Sequence, residues 1–449
     1  MPVYSIIKKS ELEGALRLDA EYYQPEYLDL QNSLSRFSIF RVGDIADVVY
    51  GTTPSGGEFE NKGIPFVRSQ NFSQLFIEDD VVYCSEIFHK KNSKSKIISG
   101  DILFAAVGAT IGELAIVQED IREANINQNI AAVKINNKKF ISEFVGVFFF
   151  SKYGQDQIQR LVTGNAQFYL NSEQIKNFIV PVLDIKEQQE VANFVKNAQK
   201  ELKNSKAFYS QAEQLLLKEL GLENFEAEND LFSIVKFSDV KKTGRMDAEY
   251  FQGKYEKLIS KIKSGKYNLL GDLVLIKKGV EIGAEQYQEQ DKAFIRVSSL
   301  SKQGIIDKDQ KYLNDALYQN LKKDFEPKIG EILLTKDATP GIAYVLKEKV
   351  EGIISSGILR LKLKQEIEAE YLALFINSIL GQMQTERDAG GSIILHWKPE
   401  QVKNLVVPIL SQETQQEIAQ LVKKSHQARQ KAKELLEQAK QKVENLIEK

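Results

Sequence analysis

The sequence predicts an α+β protein with an internal repeat: two tandem copies of one mixed module, related by a pseudo-two-fold, each copy running into a long helix. Three observations carry this expectation. The chain repeats itself at an offset close to 228 residues. The stretches 181–222 and 408–449 each begin at a proline and then run some forty residues almost free of further proline and glycine. The segments before them alternate short β-branched runs with Gly, Pro, Asn and Ser clusters and a few helical periods.

The repeat opens near the start of the chain. Ser5-Ile6-Ile7-Lys8-Lys9-Ser10 leads to Arg17-Leu18-Asp19-Ala20-Glu21-Tyr22-Tyr23, and Ser233-Ile234-Val235-Lys236-Phe237-Ser238 leads to Arg245-Met246-Asp247-Ala248-Glu249-Tyr250-Phe251, 228 positions later. The same offset relates Val42-Gly43-Asp44-Ile45 to Leu270-Gly271-Asp272-Leu273 and Pro65-Phe66-Val67-Arg68 to Ala293-Phe294-Ile295-Arg296. Ser99-Gly100-Asp101-Ile102-Leu103 answers to Ile329-Gly330-Glu331-Ile332-Leu333 with two further residues, and Val180-Pro181 to Val407-Pro408 at 227. Agreement this continuous marks a duplication of a module of about half the chain.

Within the first module, strands are expected at 48–50, 64–67, 101–105, 113–117 and 130–135. A helix is expected over 142–161 and a short one over 172–178, with Ser172 at its N-cap. The second module should follow the same order. The long segments then carry heptads. Val195, Leu202, Tyr209 and Leu216 form one row and Val191, Ala198, Ser205 and Ala212 the other; in the second copy the rows are Val422, Arg429, Leu436, Val443 and Ile418, Ser425, Ala432, Ala439. One row in each copy is largely Ala and Ser, small enough for close approach of two backbones, so the segments are expected to pack on each other as a strut. At 1.5 Å per residue each would measure roughly 55 to 60 Å. The domains so defined are 1–180, a long helix over 181–222, 223–407, and a second long helix over 408–449.

With 449 residues the chain exceeds one typical core. Its hydrophobic fraction of 43% and charged fraction of 27% are those of a soluble globular protein. The richest apolar run, 140–150, contains Glu143 and is too short for a membrane span, and the N-terminus lacks the layout of a signal peptide. Cys84 is the one cysteine, which excludes an intrachain disulfide and fits a reducing cytoplasm. A formal net charge of −2 argues against unaided nucleic-acid binding unless basic groups are local or a partner supplies them.

Catalytic chemistry is not evident. The three histidines, His89, His396 and His426, are scattered and do not have metal-ligand spacing. Gly108-Ala109-Thr110-Ile111-Gly112 lacks the lysine of a phosphate loop and reads as a turn between strands. There is no Gly-x-Ser-x-Gly elbow and no Asn/Asp-Pro-Pro-Tyr/Phe motif of an amino-methyltransferase.

Binding chemistry is better represented. Arg68, Ser69, Gln70 and Asn71 follow a strand, and a polar and aromatic loop before the short helix carries Asn165, Gln167 and Tyr169. The segment between them includes Lys90, Lys91 and Lys94 with no acid among them. Matching places in the second module hold Arg296, Ser298 and Ser299, and Ser392, His396 and Lys398. Arg, Gln and Asn can read base edges in bidentate fashion, while Lys and Ser suit phosphates. The loops diverge where the framework agrees, as expected of two domains doing one job on different targets.

Gly51-Thr52-Thr53-Pro54-Ser55, Gly63-Ile64-Pro65-Phe66-Val67, Gly100-Asp101-Ile102-Leu103-Phe104 and Val180-Pro181-Val182-Leu183 followed by Glu187-Gln188-Gln189 resemble, in this order and in duplicate, the specificity subunit of type I restriction-modification systems. The resemblance spans essentially the whole chain. It implies two target recognition domains, each reading one half of a bipartite site in double-stranded DNA, and two helices that pair antiparallel as a coiled coil, set the spacing and dock the methyltransferase subunits. It implies no cofactor in this chain. Two DNA methyltransferase subunits using S-adenosylmethionine, and restriction subunits using ATP and Mg2+, would be the partners. The second module departs from the pattern, with Gly279-Val280-Glu281-Ile282-Gly283 in place of the Gly-Thr-Thr-Pro-Ser run and Ser411-Gln412-Glu413-Thr414-Gln415 at its spacer. The alternatives are the specificity subunit of a related type II enzyme and a self-sufficient nuclease with a divergent site.

Overall fold

A computed structural model describes residues 4–9, 18–57, 59–78, 80–108, 110–162, 169–223, 225, 232–306, 310–391 and 394–449. The chain divides into two compact units, Met1–Lys203 with Arg429–Lys449, and Asn204–Ala428. The division falls inside both long helices, because each half of a helix packs with the body nearest to it.

The first unit holds two four-stranded sheets. One is antiparallel, with Ala46–Tyr50, Ile130–Ile135, Ile102–Ala105 and Leu114–Ile116 as neighbours in that order. The other runs Val82–Cys84, Ile64–Val67, Ala124–Ile126 and Lys96–Ile97, with Ile64–Val67 and Ala124–Ile126 parallel. Ile130–Ile135 reads as a continuous apolar run because its first four residues are buried on both faces. A short ribbon of Ile39–Arg41 with Ile179–Pro181 closes the unit next to the start of the long helix.

The second unit reproduces this plan down to register. Its antiparallel sheet is Val274–Lys278, Ile358–Leu363, Ile332–Thr335 and Ala343–Val345. Leu361 lies opposite Ile276 as Val133 lies opposite Val48 in the first unit, both pairs related by 228. Its second sheet has three strands, Lys311–Leu313, Lys292–Ile295 and Gly352–Ile354, again with a parallel pair. Tyr267–Leu269 pairs with Val406–Pro408 as the equivalent ribbon.

The helix expected over 142–161 is two helices, Ser142–Phe150 and Lys152–Val162. Ser151 breaks them with extended backbone (φ −74°, ψ 169°), and its hydroxyl donates to Phe148 O at 2.6 Å. Gly154 allows the fold-back, since a Cβ there would stand 2.2 Å from Phe149 Cα. The second unit bends in the same way between Ala369–Asn377 and Ile379–Asp388, at Ser378 and Gly381. Sequence periodicity missed the bend because both pieces keep helical spacing across it.

The long helices are Ile185–Glu219, 35 residues, and Gln412–Glu448, 37 residues. The prolines that open the expected segments belong to the strand ribbons instead. In the first unit, Val191, Val195 and Ala198 are buried with Ala432, Leu436, Ala439, Val443 and Ile447. Lys431 Nζ meets Glu201 at 2.7 Å and Lys442 Nζ meets Glu190 at 2.6 Å, so the two segments run antiparallel. In the second unit, Ala212 and Leu216 share a core with Ile418 and Val422, and Ser205 Oγ lies 3.1 Å from Ser425 Oγ. The small-residue rows therefore do face each other.

A buried glutamine fixes the start of each long helix to its body. Gln188 Oε1 accepts from Ile141 N (2.9 Å), and its amide donates to Lys139 O (2.9 Å) and Leu183 O (3.0 Å). Gln415, 227 positions on, accepts from Glu368 N (3.2 Å) and donates to Leu410 O (2.9 Å).

Candidate nucleic-acid interface

In each unit several strand ends are drawn to one place by backbone hydrogen bonds. In the first, Asn127 N donates to Val67 O (3.1 Å), Gly51 N to Ile130 O (3.2 Å), Ala106 N to Asn129 O (2.8 Å) and Leu170 N to Ala106 O (2.9 Å). In the second, Ser355 N donates to Ile295 O (2.8 Å), Gly279 N to Ile358 O (3.1 Å), Lys336 N to Gly357 O (2.9 Å) and Trp397 N to Lys336 O (2.7 Å). The two sets correspond bond for bond. Glycine is required where the strands pass closest: a Cβ on Gly51 would stand 2.1 Å from the carbonyl oxygens of Asn127 and Ile126, and one on Gly279 would stand 2.2 Å from Ser355 O. Gly279 thus retains the function of Gly51 although the residues after it differ.

Arg68 and Arg296 leave the ends of equivalent strands into this cluster. The Arg68 guanidinium lies 6.0 Å from the Phe59 ring centroid, and that of Arg296 lies 5.9 Å from Tyr287. Both distances are at the outer reach of a cation–π contact. Phe59 and Tyr287 are themselves 228 positions apart, so the arginine–aromatic pair is duplicated as a unit. The sequence reading named the arginines and missed their aromatic partners; aligning the halves would have exposed them.

The neighbouring candidates separate by exposure. Gln70 and Ser298 are exposed and Ser69 is half-buried. Asn71 and Ser299 are fully buried. Asn71 Oδ1 accepts from Arg68 N (2.8 Å) and its amide donates to Asp80 Oδ1 (2.8 Å), so it holds the turn.

The loops before the short helices differ in chemistry. Tyr169 is exposed, its ring 6.3 Å from that of Tyr50, whose hydroxyl donates to Leu170 O. At the matching position His396 is exposed, with Nδ1 2.7 Å from Asp337 Oδ1, while Trp397 beside it is buried. Burial pushes the Asp337 carboxyl up, but hydrogen bonds from Lys336 and His396 outweigh it and hold it below the ordinary carboxylate range. Asp337 replaces Val107 of the first unit and had no signature in the sequence. Lys398 is exposed and precedes the helix Pro399–Lys403. Asn165, Gln167 and Ser392 lie outside the described residues.

Lys90, Lys91 and Lys94 are exposed at and after the end of a helix, Glu86–Lys91, in a segment for which the sequence predicts no element. Ser85 caps it, accepting from Phe88 N at 3.2 Å, and Phe88 packs on Phe66. His89, in the same run, is buried between Asn125 (2.6 Å) and Glu123 (3.1 Å). The counterpart helix, Asp315–Phe325, is longer and borders a cleft of about 370 Å³ whose lining mixes lysines, among them Lys322, Lys323 and Lys328, with Glu326 and with Glu351, which pairs with Lys292 at 2.7 Å.

These groups are mostly hydrogen-bond donors and cations, suited to acceptor-rich base edges and phosphates. Among the described residues no group of three or more His, Cys, Asp or Glu could hold a metal ion. Burial pushes the Cys84 thiol up, away from a reactive thiolate. No helix is long and apolar enough to cross a membrane among the described residues.

A duplicated body with one donor-rich loop cluster per copy defines a tandem recognition protein. The family model described as the type I restriction modification DNA specificity domain matches residues 35–211 and 266–444, and the chain belongs to that family, carrying its domain twice. It is 22% identical over 427 residues to the putative type I restriction enzyme MjaX specificity subunit of Methanocaldococcus jannaschii, covering 90% of this chain and 91% of that one. It is 28% identical over 147 residues to the type I restriction enzyme EcoBI specificity subunit of Escherichia coli, covering 32% of this chain and 30% of that one. A match to the MjaVIII specificity subunit of M. jannaschii, 22% identical over 166 residues, covers 36% of this chain and 39% of that one. The match thus spans about a third of two of these relatives and nearly all of the other. A solved type I restriction-modification S subunit from M. genitalium aligns over 92% of this chain and 95% of its own, at 12% identity and a TM-score of 0.41.

Proposed function

We propose that this chain is a non-catalytic DNA sequence-recognition subunit of a type I restriction-modification complex. Each loop cluster reads one half of a bipartite site in double-stranded DNA, and the paired long helices set the separation of the halves. The observation that carries this is the duplicated cluster inside a twice-matched specificity domain: an identical backbone frame that presents different side chains, Gln70 and Tyr169 in one copy, Ser298 and His396 in the other. Such a frame suits two targets of one kind and unlike sequence. Partners are two DNA methyltransferase subunits and restriction subunits, which carry S-adenosylmethionine, ATP and Mg2+. They also supply phosphate contacts that a chain of net charge −2 does not provide alone.

The test exchanges residues 36–180 for the equivalent domain of another specificity subunit and maps methylated adenines in cells that also express the methyltransferase. One half-site should change and the other persist. A change in both halves, or methylation at sites unrelated to either parent, contradicts the proposal.

A further inference from the structure

The two loop clusters share a frame and part at positions that change together. After the strands Ile102–Ala105 and Ile332–Thr335, an isolated bridge ties each strand end to the loop before the short helix. Val107 pairs with Tyr169 in the first unit, and Asp337 with His396 in the second. The adjoining residues repeat the tie, Leu170 N donating to Ala106 O (2.9 Å) and Trp397 N to Lys336 O (2.7 Å). The turn that follows is left-handed in both, at Gly108 (φ 84°) and at Ala338 (φ 60°), although glycine alone adopts that backbone freely. The backbone therefore presents these positions in the same way twice. What differs is the set of side chains: Ala106, Val107 and Tyr169 against Lys336, Asp337 and His396.

The three of the second unit are linked. Lys336, 9% exposed, places Nζ 2.5 Å from Asp337 Oδ2, and Asp337 Oδ1 lies 2.7 Å from His396 Nδ1. Asp337, held below the ordinary carboxylate range, is ionised at neutral pH and can only accept. The proton between it and the imidazole therefore sits on Nδ1. In the neutral ring this leaves Nε2 as an acceptor, on a side chain that is 57% exposed. In the major groove an acceptor pairs with the exocyclic amine of adenine or cytosine and finds no donor on guanine or thymine.

We propose that Asp337 positions His396 to read one base of the second half-site through Nε2, selecting adenine or cytosine over guanine or thymine. This rests on the proposed function and adds the kind of base that the second cluster takes and the residues that select it. Lys336 completes the arrangement by occupying the other carboxylate oxygen, so that Asp337 is anchored from inside while His396 faces outward.

The test uses the full chain in complex with its methyltransferase subunit. Methylome mapping gives the wild-type site, and duplex oligonucleotides bearing that site then measure binding. His396→Ala should keep the first half-site and relax one position of the second from adenine or cytosine to all four bases. Removing the exocyclic amine of that base from the duplex should weaken wild-type binding about tenfold and leave binding by His396→Ala unchanged. Asp337→Asn should do more than relax the position. Lys336 can bond only the amide oxygen, which turns the amide nitrogen to Nδ1 and moves the ring proton to Nε2, so the preference should shift to guanine or thymine. Asp337 keeps Lys336 in His396→Ala, so no buried charge is stranded there; where Asp337→Asn fails to fold, His396→Ala and the amine-deleted duplex carry the test. An unchanged second half-site in His396→Ala, or wild-type binding indifferent to the amine, overturns the inference and leaves the proposed function standing. Loss of methylation in both halves by a folded His396→Ala complex also overturns it. A folded Asp337→Asn complex with unshifted preference overturns the positioning role of Asp337. A wild-type complex that methylates no bipartite site overturns the inference and the proposed function together.

Discussion

Glu331 and Arg360 lie side by side inside the second unit, 7% and 5% exposed. Arg360 donates through Nε to Glu331 Oε2 (2.7 Å) and through Nη2 to Oε1 (3.0 Å), and Lys328 N also donates to Oε2 (2.9 Å). Burial pushes the carboxyl up, but these hydrogen bonds outweigh it and leave it below its ordinary value of 4.5. A carboxyl lowered in the folded state stabilises fully above about pH 4.5, and that contribution fades as pH falls through the folded value. Arg360→Met should cost about 3–5 kcal/mol at pH 7 by stranding a buried charge, and Glu331→Leu added to it should recover much of the loss. Urea unfolding of both variants at pH 7 and pH 4 checks this; a single variant as stable as the wild type at pH 7 would exclude the pair as a stabilising contact. Residues of this kind were the least legible in the sequence. Glu331 was visible within a repeated motif, but its partner is a strand residue with no local signature. Asn71 and Ser299 read as surface loop because polar side chains that hold a turn from inside have the same composition as those that face water.

Elements were read more surely, because periodicity reports which face is buried. The strands expected at 64–67 and 130–135 are present with those bounds, and both long helices form where proline and glycine are absent. The bend at Ser151 escaped because helical spacing continues across it, and one glycine at position 154, folded back on the backbone of Phe148 and Phe149, is too slight a signal to mark it. The small row of the heptads has a direct consequence. Ala198 and Ala439 are fully buried in the first unit and belong to the core that both helices share. Ala198→Leu should overpack the seam and cost about 1–3 kcal/mol, with the larger loss for Ala198→Leu and Ala439→Leu combined. Thermal unfolding measures it, and a gain in stability would show that the seam contains space the small side chains leave empty. An exposed substitution on the same helix, such as Lys203→Leu, should fall within about 0.5 kcal/mol.

For the whole molecule, the repeat was the most legible property of all, since an offset is visible without any structural knowledge. It located Arg68 and Arg296 together, and it also orders features that were not sought, such as the Gln188 and Gln415 clamps. Under the proposed function, inserting one heptad into each long helix at matching positions keeps the seam in register and adds about 10 Å to each. At about 3.4 Å per base pair the gap between half-sites should grow by about three base pairs. Methylome mapping reads the gap directly, and an unchanged gap in an active complex refutes the role of the helices in spacing. The loop cluster has one more implication. Its strand ends are tied by main-chain hydrogen bonds, which a change of side chain does not remove, so the exposed Gln70 and Ser298 can be replaced at little cost to folding. Tolerance is withheld chiefly at Gly51 and Gly279, where a single methyl group would collide with backbone. Under the proposed function, new sequence preferences would arise by drift at the loop tips, one substitution at a time, without passing through an unfolded intermediate variant.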